Sequence, residues 1–404
     1  MTGDPDSRSL RWRLADEDDD RAPAALFADE SSVRRHIGTG EYRGLEFLQV
    51  NGRRIINTVP KSSQMPFRHT INAYRGCSHA CTYCFARPTH DYLGLGIGED
   101  FDRKIVVKVN AVERVAAEVR SPRWSGEHIA MGTNTDPYQK AEGKYHLTRG
   151  IIEVLAEARN PFSILTKSTL VLRDLDALVA AAKRTSVRLN FSIGTLDRVV
   201  WRLTEPGTPR PDKRVEAVKR LNDAGVECGV LMGPVLPGLS DSTEQLREVV
   251  EACVAAGAVS ISAIALHLRP GLREHYLATL AKSRPELLRL YEQRFTGKTG
   301  PRAYQPKAVQ SELAATVRTL ACDAEARAGR PTQMRVVESL DDMRTRLAEQ
   351  GLGPGRPGQE PGTGLAGQGP AGGRPDGRST ATRSVDRRSP AAPECATAEQ
   401  LRIW

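Results

Sequence analysis

The chain has 404 residues, of which 39% are hydrophobic and 26% are charged, a composition typical of globular proteins. It contains no apolar run near the ~20 residues that a membrane-spanning helix needs. Its start, rich in Asp and Arg, lacks the apolar core of a signal peptide. We therefore expect a cytoplasmic protein that does not act in a membrane. The odd number of cysteines, seven, argues against a disulfide framework in a chain of this length.

The formal net charge of +9 is concentrated in the middle of the chain. Residues 1–36 carry a net charge of −3 and residues 351–404 carry +2, so the residues between them hold +10. A basic folded region is compatible with a nucleic-acid or phosphate-bearing substrate, although a generally arginine-rich proteome would give the same excess. Aromatic residues make up only 5% of the chain, which argues against a large base-stacking platform.

The first 69 residues are predicted to precede the main domain. Residues 1–40 are polar and contain the acidic run Asp16–Asp20, so we predict that they are disordered. Residues 41–69 are predicted to form a short N-terminal β extension. Within it, Asn51 and Gly52 form a pair typical of a two-residue hairpin turn, and we predict a hairpin around them.

Three cysteines, Cys77, Cys81 and Cys84, follow this extension with three and then two residues between them, and Tyr83 precedes the third. Thiolate sulfur is a soft ligand that suits iron–sulfur clusters, zinc or copper(I). A closed structural site needs four protein ligands, whereas a reactive site keeps one position open. No fourth cysteine is nearby, so the spacing predicts an open site. The remaining cysteines are scattered singly at Cys228, Cys253, Cys322 and Cys395.

This motif resembles the cluster motif of the radical S-adenosylmethionine (radical SAM) superfamily. The resemblance implies that the three cysteines hold a [4Fe–4S] cluster. It also implies that the unligated iron chelates the amino and carboxylate groups of S-adenosylmethionine (SAM). The alternative is a zinc knuckle completed by His79 or His90.

A repeating strand–helix pattern follows the cysteine motif. Strands rich in Val, Ile and Leu that alternate with helical spacing indicate a parallel sheet with helices outside it. We predict an α/β fold with a partial (β/α)6 barrel over residues 70–285, which the resemblance also implies. An open doubly wound sheet is the alternative. The predicted strands are 70–74, 128–132, 162–166, 187–193, 226–235 and 259–268. The predicted helices are 111–120, 147–158, 175–183, 211–224, 243–256 and one that begins at 273.

The rest of the chain divides into a helical region and a tail. Residues 286–350 are predicted to be largely helical and to form a cap on the barrel. Residues 351–404 are rich in Gly, Pro and Arg, and we predict that this tail is disordered. Apolar residues fall on one helix face in two groups, Leu313, Val317 and Leu320, then Leu340, Met343 and Leu347.

Polar residues follow the second and third predicted strands, where enzymes with parallel sheets place reactive groups. After the second strand, we predict that Thr133, Asn134, Thr135 and Asp136 contact the amino group and ribose of SAM. Helix capping by the last two residues is the alternative. After the third strand, we predict that Lys167 pairs with the SAM carboxylate, and a solvated surface charge is the alternative.

Two further cofactor contacts are predicted in the next strands. Ser192 lies in an apolar strand, where a buried hydroxyl needs a polar partner. Met232 lies between Gly229 and Gly233, and glycines permit a flat adenine to approach closely, although they also mark simple bends.

Several segments resemble, more narrowly, the branch of radical SAM proteins that includes spore photoproduct lyases. This resemblance implies that Tyr83 lies along the adenine, and that Thr135, Lys167 and Ser192 contact SAM. True photoproduct lyases carry a hydrogen-donating cysteine shortly before the Ser/Thr–Asp pair, whereas this chain has no thiol between Gly132 and Asp136. A hydroxyl O–H bond is stronger than S–H, so lyase-type thymine repair is not expected. The segments are 72–84, 135–136, 166–167, 191–195 and 205–207.

Together these features predict a radical SAM enzyme. A reduced cluster would pass one electron to SAM, and the resulting 5′-deoxyadenosyl radical would take a hydrogen atom from the substrate. The electron would come from a flavodoxin or ferredoxin-type donor. The basic middle of the chain favours a nucleic-acid or nucleotide substrate. A peptide or small metabolite recognised by the N-terminal hairpin is the alternative, and a non-enzymatic zinc-binding module is a third.

Overall fold

The computed structural model describes residues 33–60, 65 and 67–329. The predictions for the tail after residue 350 and for Leu340, Met343 and Leu347 lie outside these residues. No helix in the described part of the chain is long and apolar enough to cross a membrane. The division of the chain at residues 40, 69, 285 and 350 stays a prediction.

In chain order the strands are β1 (Arg34–Ile37), β2 (Glu46–Val50), β3 (Ile56–Thr58), β4 (His69–Ile71), β5 (Tyr74–Arg75), β6 (Lys104–Lys108), β7 (Ile129–Met131), β8 (Phe162–Thr166), β9 (Val187–Ser192), β10 (Cys228–Val235), β11 (Ile261–Ala265), β12 (Thr296–Gly297) and β13 (Gly300–Pro301). The α-helices are α1 (Glu99–Arg103), α2 (Ala111–Val119), α3 (Lys140–Tyr145), α4 (Leu147–Glu157), α5 (Leu175–Ala182), α6 (Arg198–Thr204), α7 (Pro211–Asp223), α8 (Thr243–Ala255), α9 (Leu272–Ser283), α10 (Leu288–Arg294) and α11 (Lys307–Arg327).

Six parallel strands form the main sheet in their chain order, β4-β7-β8-β9-β10-β11, and β3 pairs antiparallel with β4 at one edge. In register, Ile129 lies opposite Phe162, and Phe162 lies opposite Val187. These apolar side chains are buried in one large core that the surrounding helices complete. The prediction of six strand–helix units in an α/β fold is confirmed. In the described residues the sheet does not close, because β11 and β3 remain at opposite edges.

The predicted hairpin around Asn51–Gly52 is wrong. β2 pairs with β1 and β6 in a four-stranded sheet, whereas β3 belongs to the main sheet. The turn is instead bound to α2 and the residue before it. The N–H of Gly52 donates to Asn110 Oδ1 at 2.8 Å, and the carboxylate of Glu118 accepts the N–H of Ile55 at 2.8 Å. These side-chain bonds separate the two strands that the turn was expected to join.

Two other boundaries differ from the prediction. β1 lies inside the segment predicted to be disordered. Its side chains are all exposed and show no apolar period, so no strand was predicted there. It is held by backbone pairing to β2. The first predicted strand also splits, since β4 ends at Ile71 and Tyr74 pairs with Val107 of β6 in the smaller sheet.

Of the region predicted to be helical, the described part up to residue 329 contains α10 and α11, and the short antiparallel pair β12–β13 lies between them. Val317 and Leu320 of α11 are buried in the main core, and Leu313 packs against it. The predicted apolar face therefore exists in the first half of this region, where α11 packs against α8 and β11.

Candidate active site

The three cysteines lie on a loop between β5 and a 3-10 helix (Arg87–Leu93). The N–H of Cys77 donates to Phe101 O at 2.9 Å, and the N–H of Cys84 donates to Cys81 O at 3.3 Å. The first two thiols are buried and the third is half-buried. The loop therefore presents three thiols on a backbone that its own hydrogen bonds already shape.

Burial keeps the thiols of Cys81 and Cys84 protonated while they have no metal. It raises the pKa of Cys81 well above its ordinary value, although Lys167 opposes the shift. Burial and the neighbouring Cys77 raise the pKa of Cys84 to about 11. The thiols would therefore release protons on binding iron.

The cysteine arrangement also bears on which metal group it fits. In the part of the chain that the structure describes, no three His, Cys, Asp or Glu side chains are grouped to hold one metal ion. Each thiolate of a four-iron cluster binds a different iron, so its ligands need not converge on one point. A buried loop with three separated thiols and no fourth therefore fits an iron–sulfur cluster with one open iron.

A buried layer of polar side chains supports the loop from the segment after β7. Thr135 Oγ1 donates to Gly76 O at 2.7 Å, and Gln139 Nε2 donates to the same oxygen at 2.8 Å. Gln139 Oε1 accepts the N–H of Ser78 at 3.0 Å. The backbone on both sides of Cys77 is thus fixed by side chains. The hydroxyl of Thr135 already has partners here, and its predicted contact with SAM stays a prediction.

A buried ion pair lies beside this layer. Asp136 Oδ2 is 3.3 Å from His79 Nδ1 and accepts the N–H of Lys167 at 2.7 Å, while Oδ1 accepts the hydroxyl of Thr166 at 2.7 Å. Burial alone would raise the pKa of Asp136, but the charge of His79 and these donors hold it at about 2. Burial would likewise lower the pKa of His79, but Asp136 and Cys77 raise it to about 10. Asp136 therefore links the loop after β7 to the end of β8.

The aromatic residue before the third cysteine is held by a second buried ion pair. The hydroxyl of Tyr83 donates to Glu205 Oε1, and Glu205 Oε2 accepts from Arg214 Nη2. Arg214, which is completely buried, also donates to Ser192 O at 3.0 Å. Burial would raise the pKa of Glu205, but Arg214 and Lys167 lower it. This network fixes the position of the Tyr83 ring.

The turn after Glu205 packs directly on the cysteine loop. The N–H of Gly207 donates to His79 O at 3.0 Å. A Cβ atom at Gly207 would lie 2.2 Å from Ser78 O, closer than any side chain can approach. Only glycine therefore permits this contact.

Lys167 and Ser192 converge beside Tyr83, as the sequence predicts for residues at neighbouring strand ends. Lys167 Nζ lies 5.7 Å from the centre of the Tyr83 ring and donates to Ser192 Oγ at 2.8 Å. Ser192 Oγ in turn donates to Gly233 O at 2.7 Å. The amine is half-buried beside the cysteine loop, so this corner offers a cation and a hydroxyl to an anionic group.

The other predicted contacts have different partners. Thr133 and Asn134 are half-buried and bond to Asn72, whose Oδ1 accepts the N–H of Asn134 at 3.0 Å. Met232 is completely buried in the main core. Their roles as SAM contacts stay predictions, and no residue of this group bonds directly to the Lys167 corner in the described structure.

A cavity of about 790 Å³ borders the residues that hold the cysteine loop. His79, Lys140, Gly207 and Thr208 line part of it, whereas none of the three cysteines does. The cavity is therefore distinct from the place where the predicted cofactor residues converge.

The roles of His79 in the ion pair, Gln139, Glu205 and Arg214 were not predicted from the sequence. For one of these residues, the sequence contains a pattern that indicates a buried role. Arg214 lies on the apolar stripe of α7 with Ala217, Val218 and Leu221, and a charged residue on such a stripe needs a buried partner. The partner itself lies in another segment and cannot be read from the helix.

Comparisons with known proteins agree with this geometry. The family model described as the Radical SAM superfamily matches residues 71–251. An uncharacterized protein of Mycobacterium tuberculosis is 42% identical over 279 residues, which cover 69% of this chain and 81% of that protein. An uncharacterized protein of Methanocaldococcus jannaschii is 30% identical over 197 residues, or 49% of this chain and 70% of that protein.

Solved structures of spore photoproduct lyase share the fold. A variant of that enzyme aligns with a TM-score of 0.53 at 20% identity, over 72% of this chain and 85% of that chain. The same enzyme in complex with a dinucleoside spore photoproduct aligns with a TM-score of 0.52 at 18% identity, over 68% of this chain and 78% of that chain.

Proposed function

The chain belongs to the radical SAM superfamily of enzymes, and from this premise we propose that it cleaves SAM reductively at a [4Fe–4S] cluster held by Cys77, Cys81 and Cys84. The superfamily implies both SAM and an iron–sulfur cluster. The chemistry these groups supply is one-electron cleavage of SAM to methionine and a 5′-deoxyadenosyl radical, which takes a hydrogen atom from the substrate. A flavodoxin or ferredoxin-type donor supplies the electron, and we place the enzyme in the cytoplasm.

One observation carries this proposal: Tyr83, Lys167 and Ser192 meet beside the three-cysteine loop. The amine of Lys167 suits the carboxylate of SAM, and the hydroxyl of Ser192 orients that amine at 2.8 Å. Tyr83, fixed by Glu205, offers a flat surface to the adenine. Thr135 and Asp136 hold the loops that carry these groups. We propose Thr133, Asn134 and Met232 as further contacts of SAM.

The substrate class follows from charge. The +10 between residues 36 and 351 supports a substrate that carries phosphate. We propose a nucleic acid or nucleotide, and not thymine repair of the lyase type, because the stretch Gly132–Asp136 has no thiol. Spore photoproduct lyase, which shares the fold, has been solved with a dinucleoside lesion.

The test is anaerobic reconstitution of the full chain with iron and sulfide, followed by SAM and dithionite. We expect the visible absorbance of a cluster and formation of 5′-deoxyadenosine. Both should be lost in Cys81→Ala, and both should be kept in Cys228→Ala, which removes a thiol that is equally buried but lies in the main core.

A colourless protein that binds zinc and forms no 5′-deoxyadenosine would overturn the proposal and leave a metal-binding module. The same spectrum in Cys81→Ala as in the unmodified chain would show that the cluster is held elsewhere.

A further inference from the structure

A patch of exposed rings lies beside the cysteine loop, and the proposed cofactor chemistry does not use it. Phe85, which directly follows Cys84, is 38% exposed, and Tyr304 is 47% exposed. The ring of His267 lies between them, with centre-to-centre distances of 6.0 Å and 5.4 Å. The His267 and Tyr304 rings are nearly parallel, at 27°. We refer to these three residues as the aromatic patch.

The chain builds this patch on a strand end. Leu266 and Leu268, just beyond β11, are each 1% exposed and pack in one cluster with Cys81 and Tyr83. Because successive side chains of extended backbone point to opposite sides, His267 faces the other way. The N–H of Leu268 donates to Ala303 O at 2.7 Å, which holds the Tyr304 segment alongside. The rings are therefore fixed relative to the cysteine loop.

Position and exposure together indicate a ligand site. Single exposed apolar side chains are ordinary on protein surfaces. Here the rings are gathered, and they lie at the carboxyl end of a parallel strand, where such sheets bind their ligands. Phe85 and Tyr304, at the two ends of the patch, both remain accessible to solvent.

The charge of the segment that carries His267 and Tyr304, and the position of Arg269, indicate the ligand chemistry. Residues 266–307 contain nine Lys and Arg against three Glu, a net charge of +6 out of the +9 of the whole chain. Arg269 is exposed, and its Nη2 donates to the hydroxyl of Tyr304 at 3.1 Å. Burial and the neighbouring Arg269 lower the pKa of His267 to about 4, so its ring is neutral near pH 7. A flat neutral surface with a cation at its edge matches a base that carries a phosphate.

We propose that the aromatic patch stacks a nucleobase of the substrate on the exposed ring of Tyr304, with the attached phosphate at Arg269. This inference rests on the proposed function, and it names the place where that enzyme receives a nucleotide. The patch is small, and it accommodates one or two bases. It therefore agrees with the low aromatic content of the chain, which argues against an extended stacking platform.

The experiment measures binding of the reconstituted full chain to a labelled single-stranded oligonucleotide of about 12 nucleotides by fluorescence anisotropy. Tyr304→Leu should weaken binding by about 5- to 150-fold, the effect expected for loss of one stacked base. Tyr304→Phe keeps the ring and should bind within about threefold of the unmodified chain. Tyr92→Leu is the matched control, because Tyr92 is 74% exposed and outside the patch.

Arg269→Gln should weaken binding of every sequence and reduce the slope of log K against log salt by about one. DNA, RNA and free mononucleotides are compared as competitors, which separates a strand from a single nucleotide as the source of the base. Equal binding by the unmodified chain, Tyr304→Leu and Arg269→Gln would overturn the proposal. Salt-independent binding of a Trp-rich peptide at Tyr304, without oligonucleotide binding, would also overturn it.

The same samples are assayed for 5′-deoxyadenosine. If it forms and neither an oligonucleotide nor a mononucleotide binds, the proposed cleavage of SAM stands and this inference fails. If an oligonucleotide binds through Tyr304 and no 5′-deoxyadenosine forms, the proposed function fails and the patch is a binding site without that chemistry.

Discussion

The buried residues around Asp136 and Glu205 that hold the cysteine loop, which we call the support, lie beside the aromatic patch. The two regions differ in how fully their side chains are bonded and covered. Below the loop, Gln139, Asp136 and Glu205 each have their polar atoms bonded to fixed partners. In the patch, Phe85 and Tyr304 leave much of their ring surface in water. A site that must hold a reactive group gains from preorganised dipoles, whereas a site that admits changing ligands needs open surface. The comparison indicates an enclosed cofactor side and an open substrate side.

Two histidines show the same contrast in charge. Burial opposes protonation of both, but Asp136 and Cys77 raise the pKa of His79 to about 10. For His267, burial lowers the pKa and Arg269 adds to the effect, so the pKa falls to about 4. At pH 7 the support contains a charged histidine in an ion pair, and the patch contains a neutral ring.

The largest effect expected on the support comes from Arg214→Met. Removing this completely buried guanidinium leaves the carboxylate of Glu205 without its ion partner, which should lower the free energy of unfolding by about 3–5 kcal/mol. Urea unfolding under anaerobic conditions measures it. The control is Lys213→Met on the same helix, where the ion pair with Glu216 is exposed and little change is expected. Equal stability of the two variants would mean that the support is not preorganised by this pair.

An intermediate effect is expected from Gly207→Ala. The new Cβ would lie 2.2 Å from Ser78 O, so the turn or the cysteine loop must move, at a cost of about 1–3 kcal/mol. We expect less iron per chain after reconstitution, measured with the unfolding free energy. Gly96→Ala is the control, since its nearest atom, Asp100 Oδ2, is an ordinary 3.4 Å away. Full iron content in Gly207→Ala would show that the loop tolerates displacement and would weaken the contrast with the patch.

The smallest effect expected is on the patch, where acidification should change little. Because the pKa of His267 lies at about 4, below its ordinary value of 6.5, only about 3% of it is protonated at about pH 5.5. Arginine does not titrate in this range. Oligonucleotide affinity should therefore be flat from about pH 8 to about pH 5.5. An affinity that rises on acidification with a midpoint near 6.5, and does so only when His267 is present rather than Gln, would contradict the neutral ring.

The sequence predicts the strands of the main sheet and the helices that pack on them closely, because most of these elements have a local apolar pattern. Predicted helix 147–158, for example, corresponds to α4, which ends one residue earlier. The turn at Asn51–Gly52 misleads because its bonds go to Asn110 and not across a hairpin. Local pattern cannot reveal a partner in another segment, and for this reason the hairpin between β2 and β3 was predicted wrongly.

The site divides in the same way. The cysteines and Lys167 were readable, since motif spacing and strand ends are local features. The support could not be predicted, because Tyr83 and Glu205 are 122 residues apart. The sequence near either residue does not indicate that the other is its partner. The aromatic patch joins Phe85, His267 and Tyr304 from three separate segments, so its existence becomes visible only in the folded chain.

That separation of 122 residues also has a consequence for synthesis of the protein. At about 5–20 residues per second, a ribosome needs about 6–24 s to pass from Tyr83 to Glu205. During this interval the cysteines have been made, but Glu205 and the Gly207 turn that hold their loop have not. The nascent thiols therefore lack their final surroundings for seconds, and iron loading into the finished site must follow translation of the fourth strand–helix unit.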